Sequence, residues 1–324
     1  MNPFDKAELG RTGVRVTKLG LGTAALPGLY TAVEERDAVG AIQRALAAGV
    51  NFIDTAPMYG HGKSEEFVGQ ALSGVPRDSY VLSTKVGRVL EPADPATMAD
   101  SQWKNLSPFR WRFDFSRDAV MRSFEESLKR MKVDRIDVLL IHDPDDHWEE
   151  AINEAYPVIH ELRAQGLVKA IGAGMNQWEM LERFAREGEF DCFLLAGRYT
   201  LIDHTALASF LPLCTEKGIS IVIGGPYNSG ILAGGTTFNY VPAPPELLAK
   251  VAKARSICDR HRVDLKAAAL QFPFGHSTVA NVIPGARDPK EFDENLRLMS
   301  VPIPAALWHD LRSEGILPME APIP

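Results

Sequence analysis

Cysteine is scarce in this chain: three in 324 residues, at Cys192, Cys214 and Cys258, far apart and each in an apolar or helical context. An odd count without C-x-x-C spacing excludes a disulfide framework and a zinc knuckle, and reads as buried thiols in a reducing compartment. Long apolar runs are also missing. No stretch approaches the roughly 18 residues of a membrane span, and Met1-Asn2-Pro3-Phe4-Asp5-Lys6 lacks the apolar core of a signal peptide, so the expected location is the cytoplasm. Nor is there a sustained Lys/Arg cluster. With 35 basic against 42 acidic residues and a formal net charge of -7, the chain has no basic face for nucleic acid. Small polar molecules are the expected partners, with neither nucleic acid nor membrane.

What the chain does have is rhythm. Residues 7–16 alternate about Gly10-Arg11-Thr12-Gly13 and predict a short hairpin suited to close one end of a barrel. Eight strand-like runs follow, at 19–21, 52–54, 81–85, 137–142, 170–173, 192–196, 220–224 and 281–283. Helix-period stretches separate them, at 33–48, 64–72, 116–131, 151–165, 177–187, 206–217, 245–261 with a further segment from Leu265, and 289–299. Val120, Phe124, Leu128 and Met131 make one helix face, and Gly49, Gly166 and Gly218 stand where left-handed C-caps are wanted. Strand then helix, eight times over, means parallel strands with right-handed crossovers and predicts a (β/α)8 TIM barrel, one domain over residues 1–324. A doubly wound open sheet needs a G-x-G-x-x-G turn after its first strand; Gly20-Leu21-Gly22-Thr23-Ala24-Ala25 lacks the third glycine. The connections 90–115 and 225–244 and the tail from Leu317 are long, and long loops on compact domains are commonly functional lids.

The strand-like runs end on chemistry. Asp54 closes the second, with Tyr59 just beyond it; Lys85 closes the third and His142 the fourth. An acid, a phenol, an amine and an imidazole on the carboxyl-terminal rim of a barrel are the parts of one proton-transfer device.

These residues also carry a resemblance. Asp54-Thr55-Ala56-Pro57-Met58-Tyr59-Gly60 followed by Ser64-Glu65-Glu66-Phe67-Val68-Gly69 resembles the aldo-keto reductase signature, and Thr84-Lys85, His142, Gly172 to Asn176 and Ile283-Pro284-Gly285 match its later landmarks in order. Phe113-Asp114-Phe115-Ser116-Arg117-Asp118 and His142-Asp143-Pro144-Asp145-Asp146-His147 look like its bacterial branch of L-fucose (D-threo-aldose) 1-dehydrogenases and pyridoxal 4-dehydrogenases. The resemblance implies hydride transfer between a nicotinamide and a sugar lactol, with pyridoxal as the alternative substrate. It assigns Tyr59 as acid/base, Lys85 as the cation lowering its pKa, Asp54 as the carboxylate that keeps Lys85 charged, and His142 as the donor to the substrate oxygen. Trp111 is expected to stack on the substrate, helped by Arg110 and Arg112. A catalytic metal beside Lys85 is unfavourable, so Asp143 to His147 read as a loop wall. Because some members of the family are cofactor-bound subunits of membrane channels, a regulatory role is the alternative outside catalysis.

Cofactor residues follow from the same comparison: Gly22, Thr23 and Asp54 near the first strands, and Asn176 for the carboxamide. Met175 replaces a usual serine, and Ala196-Gly197-Arg198 stands where a glutamine is usual. Either Tyr227 or Pro226 is expected to meet the nicotinamide face, with Ser229 and Gly230 beside it. Pro284, Gly285, Arg287, Glu291, Glu294 and Asn295 fall at the adenosine end. Gly285 and Glu291 occupy positions where NADP-selective relatives carry a lysine and an arginine, which implies that NAD is preferred and NADP tolerated through Arg287.

Overall fold

Eight short strands pair edge to edge in the computed structural model, which describes residues 1–29, 31–98 and 101–324. They are β1 (Leu21–Gly22), β2 (Phe52–Asp54), β3 (Val81–Val86), β4 (Val138–His142), β5 (Ala170–Met175), β6 (Cys192–Ala196), β7 (Ser220–Gly224) and β8 (Val279–Ile283). All neighbours are parallel and follow chain order. The seam between β8 and β1 is joined by the parallel bridges Leu19↔Val282 and Gly22↔Gly285. The sheet is therefore the barrel expected from the sequence.

Each strand is a nearly unbroken apolar run because both of its faces are buried. Alternation sorts the side chains. Leu139, Ile141, Phe193, Leu195, Ile221 and Ile223 point outward into the cluster shared with the helices, while Val138, Leu140, Cys192, Leu194 and Val222 fill the interior. Leu9, Val14 and Val16 join that interior cluster from the antiparallel hairpin Lys6–Glu8 with Arg15–Thr17, which plugs the amino-terminal end. Its turn needs Gly10, at φ 58°, because a Cβ there would meet the Asp191 carbonyl oxygen at 2.6 Å.

The structure differs from the sequence reading in four places. Residues 88–113 include an antiparallel hairpin, Arg88–Pro92 with Phe109–Phe113, in place of an open loop. The connection 225–244 includes a smaller hairpin, Thr237–Phe238 with Val241–Pro242, turning through Asn239 and Tyr240 at φ 50° and 65°. The stretch expected as one helix over 151–165 begins earlier, at Trp148–Glu150, and widens into a π-helical turn at Ala151–Ala155 before Tyr156–Ala164. Pro157 explains the wide turn: it has no N–H to give and its ring crowds the carbonyl four residues back. Finally, a helix at Ala305–Ser313 buries Leu307, Trp308 and Leu311 against the barrel helices, beyond the last one foreseen.

Candidate active site

The carboxyl ends of β2, β3 and β4 bring Asp54, Lys85 and His142 to one floor, and a turn after β2 swings Tyr59 over it. Lys85 Nζ donates to Asp54 Oδ2 at 2.7 Å and to the Thr55 carbonyl at 2.8 Å; Ser83 Oγ holds the other Asp54 oxygen at 2.8 Å. Behind them, Thr84 Oγ1 and Arg130 Nε both donate to Glu65, a fully buried carboxylate that rivets the Lys63–Ala71 helix to β3. The turn carrying Tyr59 (Tyr59–Gly62) runs through positive φ at Gly60, His61 and Gly62. A Cβ at Gly60 would strike Pro27 Cβ at 2.4 Å, so only glycine lets the turn close against that loop. Lys85 Nζ then lies 4.9 Å from the Tyr59 ring centroid, and the His142 ring stands edge-on to it at 5.7 Å and 88°.

Burial governs the charges here. Burial alone would lower the Lys85 ammonium, but Asp54 and then Tyr59 outweigh it, and Lys85 stays charged with its pKa above the ordinary value. Burial also pushes the Tyr59 phenol up; Lys85 pulls it back, while Asp54 and Asp143 push it further up, and the balance lies above the usual tyrosine range. Lys85 thus acts on Tyr59 in the expected direction, lowering its pKa, but burial outweighs it and Asp54 and Asp143 add to the rise. Burial, Arg88 and Lys85 together hold His142 well below the ordinary histidine value, so its imidazole is neutral. Its Nδ1 is buried without a hydrogen-bond partner among the described residues.

A cavity of about 310 Å³ opens above these groups, lined by Tyr59, Lys85, His142 and Asp143, by Trp103 and Gln102, and by Met175, Asn176 and Ala196. Trp103 is held by its indole N–H, which donates to the Ala24 carbonyl at 2.8 Å, and its ring lies 6.1 Å from Tyr59. Trp111, the aromatic expected to face substrate, borders instead an adjoining cavity of about 360 Å³, with Arg110 beside it. Its ring and that of Phe113 lie 4.6 Å from the Arg88 guanidinium carbon. Arg112 turns away to Glu91 and Asp114. Trp103, Arg88 and Asp143, which the sequence did not single out as site residues, line this cavity with Tyr59 and His142. Phe109-Arg110-Trp111-Arg112-Phe113 alternates strictly, a strand signal that would have revealed the hairpin presenting Arg88.

The residues expected at the cofactor fall into two groups. Asn176, at the end of β5, lines the cavity and makes no side-chain hydrogen bond among the described residues, so its amide is open to a carboxamide. Along the rim, a Cβ on Gly285 would meet nothing closer than Ala25 Cβ at 3.6 Å and one on Gly230 nothing within 4 Å, leaving backbone open for close approach by a dinucleotide. Gly22 is tied to Pro284 by its N–H at 3.3 Å, and Thr23 Oγ1 donates to the Asp54 carbonyl at 2.9 Å. Tyr227 does not fold toward the cavity. Its hydroxyl donates to Asn295 Oδ1 at 2.7 Å, and Asn295 Nδ2 donates to the Gly285 carbonyl at 3.2 Å, so both belong to the β8 end. Ser229 Oγ accepts the Tyr240 N–H, bringing Tyr240 to the cavity wall. Arg198 is drawn into the loop by Asn239 at 2.9 Å and Asp203 at 3.5 Å. Glu294 pairs with Lys266. Arg287 and Glu291 grip each other: the Glu291 carboxylate accepts the Arg287 backbone N–H at 2.8 Å and Nη2 at 2.5 Å.

Known proteins resemble this chain in sequence and fold. The model of the aldo/keto reductase family matches residues 18–314. Pyridoxal 4-dehydrogenase of Microbacterium luteolum is 40% identical over 97% of this chain and 98% of its own. D-threo-aldose 1-dehydrogenase of a Pseudomonas species is 36% identical over 94% and 96%. The holo form of an aldo-keto reductase from Bacillus halodurans superposes with a TM-score of 0.77, at 25% identity and 96% coverage of both chains. The chain thus belongs to the aldo/keto reductase family and is an oxidoreductase acting on CH–OH groups.

Proposed function

We propose that this enzyme oxidises a cyclic hemiacetal to a lactone, with the ring form of an aldose such as L-fucose as the substrate type and NAD as the preferred cofactor. The observation that carries the reading is the convergence of the Tyr59 phenol, the Lys85 ammonium and the neutral His142 imidazole on one cavity. The bound nicotinamide supplies the hydride acceptor. Asn176 would hold its carboxamide, and the open backbone at Gly230 and Gly285 would receive the rest of the dinucleotide. His142, neutral, donates to the hemiacetal hydroxyl oxygen and fixes it beside Tyr59. As the carbinol carbon gives up its hydride, the hydroxyl proton passes to the Tyr59 phenolate, which Lys85 stabilises. In reduction the same phenol returns the proton.

Pyridoxal is a second reading, favoured by the indole face of Trp103 at the cavity wall and by the relative of that name. Its aldehyde and neighbouring hydroxymethyl group close to a hemiacetal, so the chemistry asked of Tyr59 is unchanged. NAD preference is supported at the β8 end, where the donors that would receive a 2'-phosphate are already held by carboxylates: Arg287 by Glu291, and the Glu291 N–H by Asp288 at 2.8 Å. The three buried, unpaired cysteines favour a reducing, cytoplasmic location, and the match over residues 18–314 favours a single catalytic barrel. The test is absorbance at the reduced-nicotinamide band with purified protein, NAD or NADP, and L-fucose or pyridoxal. No reduction of either cofactor by either substrate would sink the reading.

A further inference from the structure

Asp143 follows His142 directly and adopts φ 41°, a left-handed conformation that few non-glycine residues take and that Asp tolerates better than most. Its N–H donates to the Gly174 carbonyl at 3.0 Å, which fixes the backbone and leaves the carboxylate on the cavity wall. Arg88 Nη2 donates to Oδ2 at 2.9 Å, and the Arg88 guanidinium itself packs over both the Trp111 and Phe113 rings. The same Oδ2 lies 3.5 Å from His142 Nε2. Oδ1 makes no hydrogen bond among the described residues, although the side chain is only 15% exposed. Oδ1 is not among the fully buried unpaired atoms, so it is open on the cavity side, from which a donor can reach it.

We propose that Asp143 is a specificity-determining residue: its Oδ1 accepts a hydrogen bond from a hydroxyl on the carbon adjacent to the reacting carbon, so the enzyme selects vicinally hydroxylated substrates. The inference rests on the reading given under Proposed function and deepens it. His142 holds the reacting oxygen, and the carboxylate of Asp143, the next residue, stands beside it, with Oδ2 at 3.5 Å from His142 Nε2 and Oδ1 unbonded among the described residues. Vicinal oxygens on a sugar ring are separated by about the length of a hydrogen bond, so one substrate can satisfy both residues. A charge-assisted bond to a carboxylate is among the stronger ones available, and a substrate lacking the hydroxyl leaves Oδ1 unpaired, which is the more effective form of discrimination. Arg88 keeps the carboxylate ionised and aimed, and the aromatic hairpin keeps Arg88 in place.

The experiment compares kcat/KM for L-fucose and its 2-deoxy analogue in oxidation, and for glyceraldehyde and propanal in reduction, with wild type and Asp143→Asn. Asparagine keeps the size and tolerates the left-handed backbone. Wild type is expected to prefer each hydroxylated member by about tenfold or more, and the variant to retain less than about twofold preference, whatever its absolute rates. Preference for glyceraldehyde without any L-fucose oxidation would sink the hemiacetal reading and leave this one standing. Equal kcat/KM within both pairs in wild type would overturn the proposal even if the variant failed to fold. So would a wild-type preference that survives intact in Asp143→Asn.

Discussion

Lys85 Nζ sits 2.7 Å from Asp54 Oδ2 and 4.9 Å from the centroid of the Tyr59 ring, so the ammonium divides its field between a carboxylate and a phenol. Removing it changes both. Tyr59 loses the charge that does most to lower its pKa and keeps Asp54, which raises it. Lys85→Met is therefore expected to shift the rise of oxidation with pH to still higher pH, because the phenolate base forms later. An unmoved limb in the pH–rate profile would break the link between the two residues. The buried Asp54 left alone should also cost about 3 to 5 kcal/mol of stability, read as a lower melting temperature.

Tyr59→Phe removes the proton carrier and little else. Turnover is expected to fall by about 10² to 10⁴, with the dissociation constant for the nicotinamide cofactor close to wild type. Fluorescence titration and steady-state rates on one preparation decide it; near-normal turnover would exclude Tyr59 as the acid/base.

The barrel was legible because each strand is a short apolar run with a polar residue at its carboxyl end, and helices with one apolar stripe lie between them. The convergence of Asp54, Lys85 and His142 follows from that geometry, since strand ends of a barrel share one rim. Other features depend on contacts that no local pattern announces. The Tyr227 hydroxyl finds Asn295 across 68 residues, and Trp103 reaches the cavity because its indole is held by Ala24. Trp111 was the aromatic expected to face the substrate; the register of the Arg88–Pro92 and Phe109–Phe113 hairpin places it against Arg88 instead.

The segment 101–109 is stitched to the rim and is not a free lid. Asn105 Nδ2 donates to the Val33 carbonyl at 2.6 Å, and Ser107 N–H to the Gly60 carbonyl at 3.2 Å, beside the Tyr59 turn. Excising residues 103–109 is thus expected to perturb Tyr59 as well as substrate binding. Trp103→Ala is the cleaner probe, and it should raise KM for L-fucose or pyridoxal several-fold while leaving NAD affinity within about twofold, an aromatic contact of this kind being worth roughly 1 kcal/mol. Equal losses in both affinities would make Trp103 a structural support.

His142 and Asp143 should give opposite signatures in a pH profile. His142 is neutral well below the ordinary histidine range, so it contributes no limb near pH 6.5. Asp143 is pushed up to about 6, chiefly by burial, with Arg88 opposing and Asp145 adding to the rise; Lys85 also opposes it. As pH rises through about 6 the carboxylate forms and becomes the acceptor for substrate, so KM is expected to fall. The limb should vanish in Asp143→Asn and persist in His142→Gln, which lowers kcat at every pH. The reverse assignment would show that the imidazole titrates in this range.

On the proposed function, cofactor choice is expected to turn on Arg287 and Glu291, a pair that the sequence reading treated as independent and the structure joins. Glu291 accepts the Arg287 guanidinium and its backbone N–H, so the arginine that could reach a 2'-phosphate is held by the carboxylate that would repel it. Glu291→Gln weakens that hold and removes the repulsion at once, and should improve NADP binding more than the loss of one surface charge would. Glu291→Arg with Gly285→Lys adds two charge-assisted contacts at about 1.5 to 3 kcal/mol each before solvent screening, enough for at least a tenfold shift toward NADP. A lysine fits at 285 because a Cβ there meets only Ala25 Cβ, at 3.6 Å. Arg287→Ala should reduce whatever NADP use the wild type has while leaving NAD binding nearly unchanged. Titrating both cofactors against these four proteins decides the matter. A wild type that binds NADP more tightly than NAD would show that Arg287 leaves Glu291 for the phosphate, and would make the arginine the controlling residue.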